Sequence, residues 1–257
     1  MSSKVILLVI AASSLVTTSF TLFGDEIADK KELIRKRIKE ANRKNRLNGG
    51  LVYSQPEGYV FEIINRQSLV SEAELKKTAT AITRTTQIPI SFVKEKTAKA
   101  GATLEIVASE SDPLIVSIMD EGWAKANFAR LNSDNPDPAK LTERASKQLW
   151  RAVGAAMGVG VSTFQPCLMR NIRNMRELDA CKVRQPGPAS LNCFKESSEY
   201  FGIMPIKIAS YRSACQEGWA PAPTNDIQRV IWDQAHTPPS KPMKITYDKD
   251  KQKSVVK

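Results

Sequence analysis

The chain has 257 residues, 42% of them hydrophobic and 25% charged, with a net charge of +11. The apolar share suffices for a core and excludes an intrinsically disordered chain, and the composition also excludes a multi-span membrane protein. A single histidine, His236, excludes every site that needs two, including the usual catalytic zinc sites.

Length points to one main domain with appendages. Residues 5–24 follow Lys4 with no charge, which reads as a secretory signal or an uncleaved N-terminal anchor of residues 1–24. Residues 25–50 follow as a basic helical stalk: Ile27, Ile34, Ile38 and Ala41 fall near one helix face, and Asn48-Gly49-Gly50 ends it. The main domain is expected over residues 51–240, with a basic tail over 241–257.

Within that domain, residues 59–64 alternate and read as a strand. Ser71 and Glu74 form a capping box that opens a helix to about Arg84. Strands are expected at 89–94, 103–108, 114–119 and 123–131. Asn135-Pro136-Asp137-Pro138 breaks the chain. Leu141, Ala145, Leu149, Ala152, Val153 and Ala156 then recur at helical spacing over 141–157. An irregular stretch follows Gly158, and helices return at 206–219 and 227–235. The fold class is α+β, a mixed sheet with packed helices and a loop-rich C-terminal half.

Export would place Cys167, Cys181, Cys193 and Cys215 in an oxidising compartment, where an even set favours two disulfides. Three connectivities are open. The turn Gln185-Pro186-Gly187-Pro188 favours joining Cys181 to Cys193. A four-thiolate zinc site is the rival, though the spacing has no C-x2-C pair.

Residues 25–46 hold nine basic and five acidic residues, and residues 241–257 hold six lysines and two aspartates. Basic ends suit an anionic surface, a polysaccharide or simple solubility. They carry almost no interleaved aromatics, which disfavours nucleic acid. Membrane contact is expected only through the N-terminal segment.

The helix at 141–157 carries a second pattern. H-E-x-x-H-x-x-G-x-x-H can be laid on Lys147-Gln148-Leu149-Trp150-Arg151-Ala152-Val153-Gly154-Ala155-Ala156-Met157. Gly154 matches. Lys147, Arg151 and Met157 stand at the ligand positions and Gln148 at the general-base position. Cys167-Leu168-Met169 follows, and then Asn174-Met175-Arg176-Glu177-Leu178-Asp179. This succession resembles the archaemetzincin-like zincin peptidases, over roughly residues 51–193. The resemblance implies a zincin-like fold, with Met169 (beside Cys167) under the former metal site. It also implies that residues 123–131, with Asn127, Phe128, Ala129 and Arg130, form the edge strand lining the cleft.

The zinc chemistry is not implied. Two fixed cations at ligand positions repel the ion, and glutamine takes no proton from water. The position after Met157 is Gly158, where the family has cysteine, which removes a structural zinc ligand as well. The alternative is an ordinary amphipathic helix with Lys147, Gln148 and Arg151 on its wet face.

No catalytic residue, metal or cofactor is therefore expected. The leading reading is an exported, non-catalytic binding protein that holds a peptide in the former cleft by strand addition. The alternatives are a hydrolase using carboxylates, for which Glu121, Glu143, Glu177 and Asp179 show no signature, and a structural cell-envelope component.

Overall fold

The computed structural model describes residues 32–109, 111–164 and 167–237. The expected signal or anchor and the basic tail lie outside the described residues. Among the described residues no helix is long and apolar enough to cross a membrane. The chain divides into two units, one of residues 53–208 and one that joins residues up to 52 with those from 209 onward. Residues 209–237, expected within the main domain, thus group with the N-terminal helix.

In the larger unit a five-stranded sheet has the order β3-β2-β4-β6-β5. Its strands are β2 (Val60–Asn65), β3 (Ile90–Val93), β4 (Ala100–Val107), β5 (Ile115–Ile118) and β6 (Trp123–Asn127). β2, β3, β4 and β6 run parallel, and β5 pairs antiparallel with β6. Helix α2 (Glu72–Thr86) is the crossover between β2 and β3. Its N-cap is Ser71, which accepts from the Glu74 backbone N–H, as the capping box predicts.

Helix α3 (Pro138–Ala156) begins three residues before the expected start. Asp137 accepts from the Lys140 N–H at 2.8 Å, and Pro138 takes the first helical position, where a missing N–H costs nothing. The break motif is thus the helix cap. α2 and α3 cover the sheet face bearing Phe61, Ile63, Leu104, Ile106, Ala124 and Ala126, all with no more than 1% exposure.

Two expectations fail here. The irregular stretch after Gly158 contains α4 (Met175–Ala180) and α5 (Pro188–Tyr200). The strand expected over 123–131 stops at Asn127, because Phe128 turns to helical backbone and Ala129–Asn132 form a 3-10 turn. Asn127 fixes that end of the sheet. Its amide donates to the Asp112 and Ser109 carbonyls, and its oxygen accepts from the Ser109 and Ala129 N–H groups.

In the smaller unit α1 covers residues 32–47 and is exposed along nearly its whole length. Gly49 and Gly50, at φ 81° and 83°, end it. A Cβ on Gly49 would lie 2.8 Å from the Tyr211 Cβ, so the site needs glycine on two counts. The helix expected over 206–219 is shorter. It is α6 (Tyr211–Gln216), capped by Ser210 and preceded by β7 (Ile208–Ser210). β7 pairs with β1 (Leu51–Tyr53). α7 (Asp226–His236) follows, capped by Asn225. Tyr211, Ala214, Cys215 and Ile231 form this unit's core with Val52, and Trp219 packs against it.

Candidate functional site

The site region is the middle of α3 and the segments around it, all within the larger unit. Lys147 is 2% exposed, and its ammonium bonds the Leu178 carbonyl at 3.2 Å and the Glu143 carboxylate at 2.8 Å. Gln148 is fully buried. Its amide donates to the Leu114 carbonyl at 2.8 Å, and its oxygen accepts from Arg151 at 3.0 Å. The other arm of the Arg151 guanidinium reaches the Ile172 carbonyl at 3.4 Å. Burial pulls this guanidinium down to about 10, so it remains a cation at neutral pH. Met157 is fully buried in the core. These side chains do not lie on a wet face. They tie α3 to the segments that flank it.

Gly154 has a different task from ending the helix, which continues to Ala156. A Cβ there would collide with the Met169 methyl and lie 3.1 Å from its sulfur and 3.2 Å from the Phe194 ring. Met169 therefore packs on the backbone of α3, one turn beyond Arg151. Cys167 is 4% exposed. Burial raises its thiol, but hydrogen bonds from the Gly187 backbone, the Ser190 hydroxyl, the Met169 backbone and the Ser162 hydroxyl outweigh this and set it below the ordinary value.

The donor set does not fit zinc. The ligand positions offer an ammonium, a guanidinium and a buried thioether, and the two cations are already spent on carbonyls and a carboxylate. Among the described residues no three His, Cys, Asp or Glu side chains form a group that could hold a metal ion. The only histidine is held by its own helix. His236 Nδ1 lies 2.8 Å from the Trp232 carbonyl, and its ring stacks on Trp232 at 4.0 Å.

Asp179 and Glu143 are both engaged by basic partners. Asp179 is held below the usual carboxylate range by hydrogen bonds from Arg144, and Glu143 by Lys147. A general acid needs a raised value.

The expected edge strand must be corrected. β6 is internal, paired on one side with β4 and on the other with β5. Asn127 and Phe128 are fully buried, Ala129 is partly buried, and only Arg130 is exposed. The sheet's two edge strands are β3 and β5, and β5 is the one beside β6. Its Leu114 end is bonded by Asn127 N–H to Leu114 O at 3.0 Å, so Leu114, Val116 and Ile118 face β6. The backbone groups of Ile115 and Ser117 point away from the sheet. Val116 and Ile118 are 39% and 46% exposed.

The cysteine expectation is also corrected. All four thiols are free. Pro188 opens α5 where a turn was expected to bring Cys193 back to Cys181, and Cys193 stands exposed on that helix.

Sequence reasoning missed Arg144. It is 1% exposed and bidentate to Asp179, with bonds of 2.8 and 2.6 Å. It also bonds both oxygens of Asp134 and the Leu131 carbonyl. The signal was present: Arg144 follows Leu141 by three residues, within the apolar stripe.

No protein-family model matches the chain, and no curated protein does. Solved structures do. An archaemetzincin from Methanopyrus kandleri is 11% identical over 55% of this chain and 96% of that one, with a TM-score of 0.46. An archaemetzincin from Archaeoglobus fulgidus, complexed with malonate, is 12% identical over 52% and 98%, with a TM-score of 0.41. A zinc-dependent peptidase from Methanocorpusculum labreanum is 14% identical over 52% and 99%, with a TM-score of 0.43.

Proposed function

We propose that this is a non-catalytic protein that binds an extended peptide on β5, in a fold whose peptidase machinery has been replaced. One observation carries the reading. Lys147, Gln148 and Arg151 stand where a zinc ligand, a general base and a second ligand would be required, and all three serve as structural hydrogen-bond donors. Beside them, β5 is a short edge strand with two apolar, β-branched side chains, Val116 and Ile118, exposed. An exposed edge takes a strand through main-chain bonds, and alternate side chains add selectivity.

Export belongs to this proposal. The charge-free run after Lys4 would deliver the protein to the cell envelope or beyond, and the basic residues near both ends would hold it at an anionic surface or polysaccharide.

The test has two arms. Metal content and cleavage of a mixed peptide pool are measured on the purified protein, with and without chelator. Saturable peptide binding is then compared between the protein and Ser117→Pro, which removes an outward N–H without touching the bonds to β6. The reading expects no stoichiometric zinc, no cleavage, and binding that Ser117→Pro abolishes. Chelator-sensitive cleavage would end it.

A further inference from the structure

At the Leu114 end of β5 a cavity of about 430 Å³ is lined by Leu114, Arg130, Asp134 and Arg176, among others. Its charge is one-sided. Both oxygens of Asp134 are taken by Arg144, whose hydrogen bonds hold that carboxyl down to about 2. Arg130 and Arg176 are exposed, and among the described residues neither guanidinium has a carboxylate partner. Two free forks beside a strand end suit an anionic group.

The edge itself says which anion. By alternation the outward positions are Ser117, Ile115 and then Pro113, which has no N–H to donate. A peptide ladder on this edge therefore ends at Ile115. A peptide antiparallel to β5 brings its C-terminal end there, whereas a parallel one would bring its ammonium end to two arginines. We infer that the β5 edge binds peptides by their free C-termini, with the terminal carboxylate between Arg130 and Arg176 and apolar side chains over Val116 and Ile118. This rests on the strand-addition reading above and names its ligand class.

The test passes random synthetic hexapeptides over the immobilised full chain, once as free acids and once as C-terminal amides, and quantifies retained peptides by mass spectrometry. Free acids should be retained at least about tenfold better, as a charge-assisted pair of hydrogen bonds allows. Arg130→Gln or Arg176→Gln, both at exposed positions, should shrink that preference. Ser117→Pro should abolish retention of both sets. Equal retention of acids and amides, with loss in Ser117→Pro, overturns the carboxylate site and leaves the strand reading standing. Preference for internal Asp or Glu over a free terminus also overturns it. Retention of neither set, or retention that Ser117→Pro leaves intact, removes the strand reading and this inference with it.

Discussion

Met169 packs its thioether on the backbone of Gly154, so closely that a Cβ at 154 would lie 3.1 Å from the sulfur and closer still to the methyl. The contact explains why one glycine interrupts the buried face of α3, between Val153 and Ala156, both with no measurable exposure. Gly154→Ala gains helix propensity but overpacks the core, and should destabilise by roughly 1–3 kcal/mol. Met169→Ala costs about 2–5 kcal/mol alone by opening a cavity. In the double variant the alanine methyl occupies part of that space, so the two losses should add to less than their sum. Urea midpoints of the four proteins measure the coupling. Strict additivity would mean that the two residues do not touch.

Arg144 joins three pieces of the larger unit: α3, the Asp134 turn, and Asp179 at the end of α4. Removing it leaves the Leu131 carbonyl without its donor and the two carboxylates with only Lys140, 3.1 Å from Asp179 and 3.9 Å from Asp134. Because Asp134 and Asp179 keep solvent contact, Arg144→Met should cost roughly 1–3 kcal/mol, chiefly through the lost charge-assisted bonds. Arg144→Lys keeps the charge but loses the fork, and should recover less than half of the loss. Full recovery by lysine would show that charge, and not the paired geometry, does the holding.

The same cluster sets an acid limit. Asp134 is held down to about 2 and Asp179 is lowered, both chiefly by hydrogen bonds from Arg144. In the unfolded chain both titrate near 4. A depressed carboxyl stabilises fully above its unfolded value and loses that contribution as pH falls towards its folded one. The chain should therefore weaken between about pH 4 and pH 2. Asp179→Asn should be less stable at pH 6, yet fall less steeply over this window. Parallel stability curves for the two proteins would refute the linkage.

Much of the larger unit was legible because its signals are local. Ser71 and Glu74 announced α2, and the alternation at 59–64 announced β2. The stripe from Leu141 to Ala156 announced α3, though Pro138 was taken as a breaker when it is the helix's first residue. What failed was long-range. Period-2 alternation marks a strand but not its neighbours, so β6 was given the edge that belongs to β5. The apparent wet face of α3 was a covered one, since Lys147 and Arg151 have polar tips that reach carbonyls of Leu178 and Ile172, residues that no helical period connects to them. The motif comparison drew attention to α3. Only the packing explains what its replaced residues do.

The thiols give a last measurable contrast. Cys193 is exposed on α5, whereas Cys167, Cys181 and Cys215 are buried. Burial pushes the Cys215 thiol up, which lowers its thiolate fraction further. Cys167 is the opposite case, a thiol below its ordinary value but shielded at 4% exposure, so access and not acidity limits it. An aromatic disulfide reagent at pH 8 should label one thiol quickly in the native protein and all four after denaturation. Cys167 and Cys181 should become reactive as the larger unit unfolds, and Cys215 as the smaller one does, because reagent reaches each only when its own core opens. Fewer than four thiols in the denatured, unreduced protein would restore a disulfide among them.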